Sequence, residues 1–191
     1  SLAGGAALHA AVAERWRAVT GTPVIEGYGL TECSPIIVGN PMSTDRRPGY
    51  VGIPFPDTQV RIANPDNLDE TQPDGVEGEV LARGPQIFKG YLNNEEATEA
   101  AFHGEWFRTG DMGVMEEDGF IRLVSRIKEI IITGGFNVYS IEVENALRAH
   151  EAVQDCAVIG MPDDKWGERI VAVVQPRAGQ DRKSTRLNSS H

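Results

Sequence analysis

The sequence is poor in cysteine: Cys33 and Cys156 stand alone, with neither metal-type spacing nor a disulfide framework. A reducing cytoplasm is therefore the expected setting. No apolar run is long enough to cross a bilayer, which leaves only peripheral contact with a membrane open. No basic-then-apolar leader and no initiating methionine open the chain, which starts in mid-flow with "SLAGGAALHAAVAERW". Cations are also scarce. Eighteen Lys and Arg against 28 Asp and Glu give a formal net charge of -10, and a phosphate backbone is gripped by clustered cations, so nucleic acid is set aside as a partner. There is no internal repeat.

What is present is an ordinary globular composition, 40% hydrophobic and 24% charged over 191 residues, enough to bury a core. The exception is the last eleven residues, "DRKSTRLNSSH", which are polar, basic and without period. One coding of them is a common sequencing adapter, so residues 181–191 are expected to be a translated artefact outside the fold.

Leu8, Val12, Trp16 and Val19 recur at helical spacing and predict an amphipathic helix over Ala6–Val19. "PVIEGYG" then reads as a short buried strand running into a loop, and the proline- and glycine-rich stretch from Asn40 to Gln59 as an irregular excursion. "TQVRIAN" and "EGEVLARG" alternate as antiparallel strands, with "PDNLDETQPDGV" expected as an exposed acidic connection. "NNEEATEAAF" predicts an N-capped short helix, and "EWFRTGDMGVMEEDGFIRLVSR" two strands around the turn "EEDG". The pattern changes near Ser125–Gly135, where a hinge is expected. Ser140 is expected to cap the helix "IEVENALRAH", and two β-rich runs then flank "DDKWG".

Four loops carry chemistry-bearing groups. In "GYGLTE", Gly27 and Gly29 permit close approach, Tyr28 offers a ring face, Thr31 a hydroxyl and Glu32 an oxygen ligand for a hard cation; a plain surface turn is the competing reading. "RTGD" is expected to be a glycine turn presenting Asp111 at a strand end, where a carboxylate can accept from two vicinal hydroxyls; a solvated turn is the alternative. In "SRIKE", Arg126 can fork onto oxygens and Lys128 act as a point charge, or both can simply begin a charged strand. "TGGFNVYSIEVE" carries paired glycines. No set decides alone.

Together, in this order and spacing, these sets resemble the adenylate-forming superfamily, nearest to bacterial AMP-forming long-chain fatty-acid CoA ligases. The likeness runs from Gly4 to about Pro176 through "GGAAL", "GYGLTE", "GEVLARGPQIFKGY", "WFRTGD", "GFIRLVSRIKEIIITGGFNVY" and "IEVENAL". The resemblance implies an α/β to α+β fold: the β-rich C-terminal part of the large AMP-binding domain at 1–126, then the hinge and first half of an α+β lid at 127–180. It further implies that Gly4, Gly5 and Ala6 line the adenine and acyl pocket, that Tyr28 stacks on adenine with Gly29 allowing approach, and that Thr31 meets the α-phosphate or acyl carboxylate. Glu32 would hold Mg2+, Asp111 the ribose hydroxyls with Arg126 assisting, and Lys128 the hinge. Gly134, Gly135 and Phe136 would face coenzyme A. Substrates would be a fatty acid, ATP and CoA, with AMP as product.

The sequence departs from the family pattern at Ser125, where many relatives carry an acid, at Ser140, where proline is usual, and at Ile132, which is basic in some. Two alternatives are carried beside the ligase: an amino-acid-activating adenylation domain, favoured by a downstream carrier domain, and a non-catalytic adenylate-binding homologue. The sequence holds no Ser/Thr/Gly-rich phosphate loop ending in Pro-Lys-Gly and no counterpart of the family's C-terminal catalytic lysine, and it is expected to be a fragment. Purified residues 1–180 are accordingly expected to give no ATP/pyrophosphate exchange; measurable exchange would show that the fragment reading is wrong.

Overall fold

A computed structural model of the protein describes residues 1–5, 8, 10–43 and 45–177. Ala6 and the tail from 181 to 191 therefore lie outside the described residues. The chain divides into two compact units, Ser1–Lys128 and Glu129–His191.

The first unit opens with β1 (Leu2–Ala3), α1 (Ala10–Thr20), β2 (Ile25–Tyr28), β3 (Val38–Gly39) and β4 (Ile53–Pro54). The four strands form one sheet in that order, β1 parallel to β2 and the rest antiparallel. Helix α1 begins later than its apolar spacing suggested. Its predicted face is not buried: Val12, Trp16 and Val19 are 54%, 41% and 79% exposed, because no described element packs over it. Periodicity identifies the face a helix would bury, while a neighbour decides whether it is buried.

The excursion between β3 and β4 is organised around the Asn40 side chain, with Glu26 Oε1 also accepting from the Gly49 amide at 3.2 Å. Asn40 donates from Nδ2 to the carbonyls of Arg47 and Tyr50, and its Oδ1 accepts from the Arg47 amide at 2.9 Å. Side-chain bonds, those of Asn40 foremost, thus stand in for the ladder that proline and glycine deny this segment.

A second sheet follows, built from β5 (Gln59–Asn64), β6 (Asn67–Thr71), β7 (Gly78–Arg83), α2 (Glu95–Ala100) as an insertion, β8 (Phe102–His103), β9 (Trp106–Met115) and β10 (Ile121–Arg126). Its order is β10-β9-β7-β5-β6, with β8 on β9, and the pairs are antiparallel. The acidic segment expected as a loop is in part strand β6. Asn64 Oδ1 accepts from the Asp66 amide at 3.0 Å and turns the chain back onto β5, and as an edge strand β6 needs no apolar face of its own. The cap of α2 is as predicted, with Asn94 Oδ1 accepting from Ala97 N at 3.1 Å. The turn "EEDG" also joins β9 to β10 as expected, closed by Gly119 N on the Glu116 carbonyl at 2.8 Å.

The two sheets share a core of Tyr28, Cys33, Ile37, Val38, Ile62, Val80, Ala82, Phe107 and Ile121. Backbone bonds tie them as well: Ile121 N donates to Gly52 O, and Val51 N to Ile121 O. Burying these side chains is what fixes the loop after β2 against the middle of β9.

The second unit is an α+β hairpin assembly: β11 (Ile130–Thr133), β12 (Phe136–Tyr139), α3 (Ser140–Arg148), β13 (Val153–Asp163) and β14 (Gly167–Pro176), with sheet order β12-β11-β14-β13. Gly134 and Gly135, both at positive φ, form the two-residue turn between β11 and β12. Helix α3 starts at Ser140 itself, with Tyr139 in the capping position and no side-chain cap bond; Ser140 is the first helical residue and does not cap. The helix is instead fastened by Glu144, which pairs with Arg148 at 3.2 Å and accepts from the Val158 amide at 2.9 Å. The fold class is the expected one, a β-rich unit followed by an α+β unit. Among the described residues no helix is long and apolar enough to cross a membrane.

Candidate functional site

The site is assembled at a defect in β9. Glu79 of β7 pairs with Met112, and Leu81 with Arg108, so three residues of β9, Thr109, Gly110 and Asp111, face the single residue Val80. "RTGD" is therefore a bulge inside a continuous strand, where a turn at a strand end was expected. Gly110 supplies the positive φ of 73°, and Thr109 secures the bulge by donating from Oγ1 to the Val80 carbonyl at 2.7 Å and accepting from the Asp111 amide at 3.1 Å. Bulges re-aim side chains. This one sets the Asp111 carboxylate, 6% exposed, against the end of β2.

Two donors meet that carboxylate. The Tyr28 hydroxyl donates to Asp111 Oδ2 at 2.5 Å, and Arg126 Nε lies 3.3 Å from Oδ1. Arg126 reaches it because its Cα pairs opposite Asp111 at the end of β10, after a register shift between Leu123 and Ser125. Tyr28, Asp111 and Arg126, separated by up to 98 positions in the chain, thus converge on one point. Burial pushes the Asp111 carboxyl above its ordinary value, against the pull of the Tyr28 hydrogen bond and the Arg126 charge, and the nearby charge of Glu79 adds to the rise. Burial and the adjacent carboxylate push the Tyr28 phenol upward too, so it stays protonated as the donor.

The loop after β2 is fixed closely. A Cβ at Gly29 would stand 2.1 Å from the Pro35 carbonyl oxygen, so the chain's own backbone demands glycine there. Thr31–Cys33 form a short 3-10 turn in which Thr31 is exposed and Cys33 fully buried, its thiol pushed up to about 11, chiefly by burial. Glu32 Oε1 accepts from the Tyr91 hydroxyl at 2.8 Å, and the Glu32 carbonyl from the Phe88 amide at 2.8 Å. Phe88 anchors this contact by packing on Phe102, Phe107 and Tyr91 with ring centroids 4.9–5.6 Å apart. Gly4 and Gly5 follow β1, beside β2; a Cβ on Gly4 would lie 3.1 Å from the Gly27 carbonyl oxygen.

Tyr28 is 8% exposed, which leaves little ring face for a base; the contact it makes is through its hydroxyl. Lys128 lies in a second 3-10 turn, Ile127–Glu129, at the end of the first unit. Gly134, Gly135 and Phe136 belong to the second unit, where Phe136 is 76% exposed on the hairpin. No group of three or more His, Cys, Asp or Glu suited to a metal occurs among the described residues. Glu32 by itself fits a cation of the Mg2+ kind, which takes few protein carboxylates and draws its other ligands from water and substrate phosphates. Sequence reasoning missed Glu79, Thr109 and Tyr91. Only Glu79 left a trace, as an acid in an otherwise apolar strand, "GEVLAR".

A buried carboxylate held by a phenol and a guanidinium thus lies beside a glycine-bounded loop on a scaffold of paired antiparallel sheets. The chain belongs to the AMP-binding enzyme family: one family model, AMP-binding enzyme, matches residues 1–92, and a second, AMP-binding enzyme C-terminal domain, matches residues 142–189. A long-chain-fatty-acid–CoA ligase of Yersinia pestis is 42% identical over 174 residues, 91% of this chain and 31% of that protein. The crystal structure of ATP-bound MatB from Rhodopseudomonas palustris superposes with a TM-score of 0.87 at 38% identity, over 94% of this chain and 35% of that one. The o-succinylbenzoate CoA synthetase MenE of Bacillus subtilis, in complex with the acyl-adenylate intermediate OSB-AMP, does so with a TM-score of 0.82 at 32% identity, over 94% and 37%. The chain spans about a third of the length of these relatives.

The folded Asp111 carboxyl is raised, so its contribution to stability is fully present below its ordinary value of 3.8 and is lost as pH rises through the raised one. Carboxyl NMR should find Asp111 titrating above 3.8, and Tyr28→Phe should raise it further by removing a donor to the ionised form. Asp111→Asn should flatten the fall in urea stability over the same window. A midpoint at or below 3.8 contradicts the burial account.

Proposed function

We propose that this chain is the adenosine-holding portion of an AMP-forming acyl-CoA ligase that acts on a fatty acid. The observation that carries the reading is the convergence of Tyr28, Asp111 and Arg126. A carboxylate offers about four acceptor sites. Two are engaged by Tyr28 and Arg126, and two are left for the vicinal hydroxyls of a ribose. Arg126 keeps its side chain 64% exposed, so its remaining N–H groups can reach ribose or phosphate oxygens while Nε holds Asp111.

In the reaction so assigned, a fatty carboxylate oxygen bonds to the α-phosphorus of ATP and the bond to pyrophosphate breaks. The thiol of CoA then bonds to the acyl carbon, AMP departs with the carboxyl oxygen, and the thiol proton passes to solvent. Thr31, exposed at the start of its turn, donates to the α-phosphate or the acyl carboxylate. Glu32 holds Mg2+, which would offset charge building on the phosphate oxygens when bound. Gly4, Gly5 and Ala6 border the adenine and acyl groups, with Gly29 beside them. Tyr28 meets adenine with the little of its ring that is exposed and serves the ribose through Asp111. Lys128 marks the hinge, and Gly134, Gly135 and Phe136 face CoA. The domain limits proposed for this machinery are 1–126 and 127–180, and the unpaired, buried Cys33 and Cys156 support a cytoplasmic setting.

The test is binding of AMP to the 191-residue chain, followed by amide chemical shifts. Asp111→Ala should weaken AMP roughly 10- to 100-fold, the range for losing hydrogen bonds to a charged group. A 2′,3′-dideoxy analogue should bind the wild type as weakly as AMP binds the variant. Equal affinity for AMP and the dideoxy analogue would overturn the ribose assignment.

A further inference from the structure

We propose that the Glu79–Arg108 ion pair is a positioning device that straps the β9 bulge shut and so aims Asp111. The inference rests on the reading of Asp111 as the ribose ligand and adds two residues to which no role had been given.

The pair spans the defect. Glu79 is opposite Met112, on one side of the bulge, and Arg108 is opposite Leu81, on the other. Arg108 reaches back across Val80's position to grip the carboxylate with both arms of its fork, Nε to Oε1 at 3.2 Å and Nη2 to Oε2 at 2.9 Å. The Glu79 side chain is 2% exposed and that of Arg108 38%. The bulge residues Thr109, Gly110 and Asp111 are thus bracketed by a bidentate clamp outside and the Thr109–Val80 bond within.

Stability alone does not account for such a pair. Replacing a buried ion pair by apolar groups of similar size is often neutral or stabilising, whereas geometric specification is a use for which buried pairs are kept. The fork adds direction as well as attraction, because two parallel N–H groups on one carboxylate fix the plane of both partners. A bulge two residues longer than its partner strand has several ways to pucker, and only some direct the residue before Met112 toward Tyr28. Holding Arg108 to Glu79 sets the distance between the two ends and leaves one of these. Glu79 also acts on Asp111 directly, its charge lying near enough to push that carboxyl upward.

Arg108→Lys keeps the charge and loses the fork, and is made in the 191-residue chain beside Glu79→Gln and the double variant Glu79→Met with Arg108→Met. Two quantities are read: the Asp111 carboxyl titration by NMR, which needs no ligand, and the AMP dissociation constant. Arg108→Lys should shift the Asp111 midpoint, weaken AMP about tenfold, and cause no further loss in an Asp111→Asn background. An unmoved midpoint, or losses that simply add with Asp111→Asn, overturns the clamp. If the single variants fail to fold, the apolar double variant removes the charges without leaving one unpaired; losing the Glu79 charge lowers the Asp111 midpoint by itself, so the AMP dissociation constant of this variant decides the matter, an unchanged value overturning the clamp. Absence of AMP binding in the wild type would refute the ribose reading, and the titration would still judge whether Glu79 and Arg108 aim Asp111.

Discussion

A carboxylate placed inside a sheet must be given donors, or ionising it costs more than the fold can spare. Asp111 meets that constraint with the Tyr28 hydroxyl and the Arg126 guanidinium. Much of the first unit serves this arrangement. β2 delivers Tyr28, a bulge in β9 delivers Asp111, a second register shift delivers Arg126, and the shared core around Ile121 and Val80 keeps the strands in register with each other. The site is a consequence of two irregularities in otherwise regular pairing.

The same logic runs outward from the site. Asn40 gives three hydrogen bonds to a segment that cannot pair in a ladder, Thr109 ties the bulge to Val80, and Tyr91 brings a donor to Glu32 from a loop fixed by stacked aromatics. Asn40 and Thr109 supply what the backbone leaves unpaired, whereas Tyr91 satisfies another side chain. These contacts are local in space and distant in sequence, and they hold the loop of the first unit with few residues of regular structure. The second unit follows a plainer scheme, with glycine turns and the Glu144–Arg148 pair fastening a helix to a hairpin sheet.

How much of this was legible in the sequence depended on whether the cause was local. The paired glycines at 134–135 were read only as part of an expected hinge region and close as a two-residue turn, while the Asn94 cap and the turn at 116–119 are written in neighbouring residues and were read correctly. The strand β6 was not, because an edge strand may be acidic throughout and needs only a partner. The bulge at Thr109–Asp111 was taken for a turn, since glycine before aspartate suits either and the register against β7 decides. Helix α1 carried the right period, while the sequence could not tell that its face stays open. For the site, family resemblance brought Tyr28, Asp111 and Arg126 onto the page, and residue chemistry suggested why each could matter. It gave no sign that the phenol would spend its hydroxyl on the carboxylate, nor that Glu79 and Arg108 would bracket the bulge, because both facts arise from pairing between distant strands.

The central claim is that the Asp111 carboxylate, held by Tyr28 and Arg126, is the group that receives a nucleoside's sugar. A crystal structure of the chain grown with AMP tests it most directly. The account predicts ribose oxygens at about 2.5–3.0 Å from Asp111, ordinary hydrogen-bond distances, with the Tyr28 and Arg126 contacts retained. An ordered nucleotide seated elsewhere, with Asp111 bonded to Tyr28 and Arg126 alone, would contradict it.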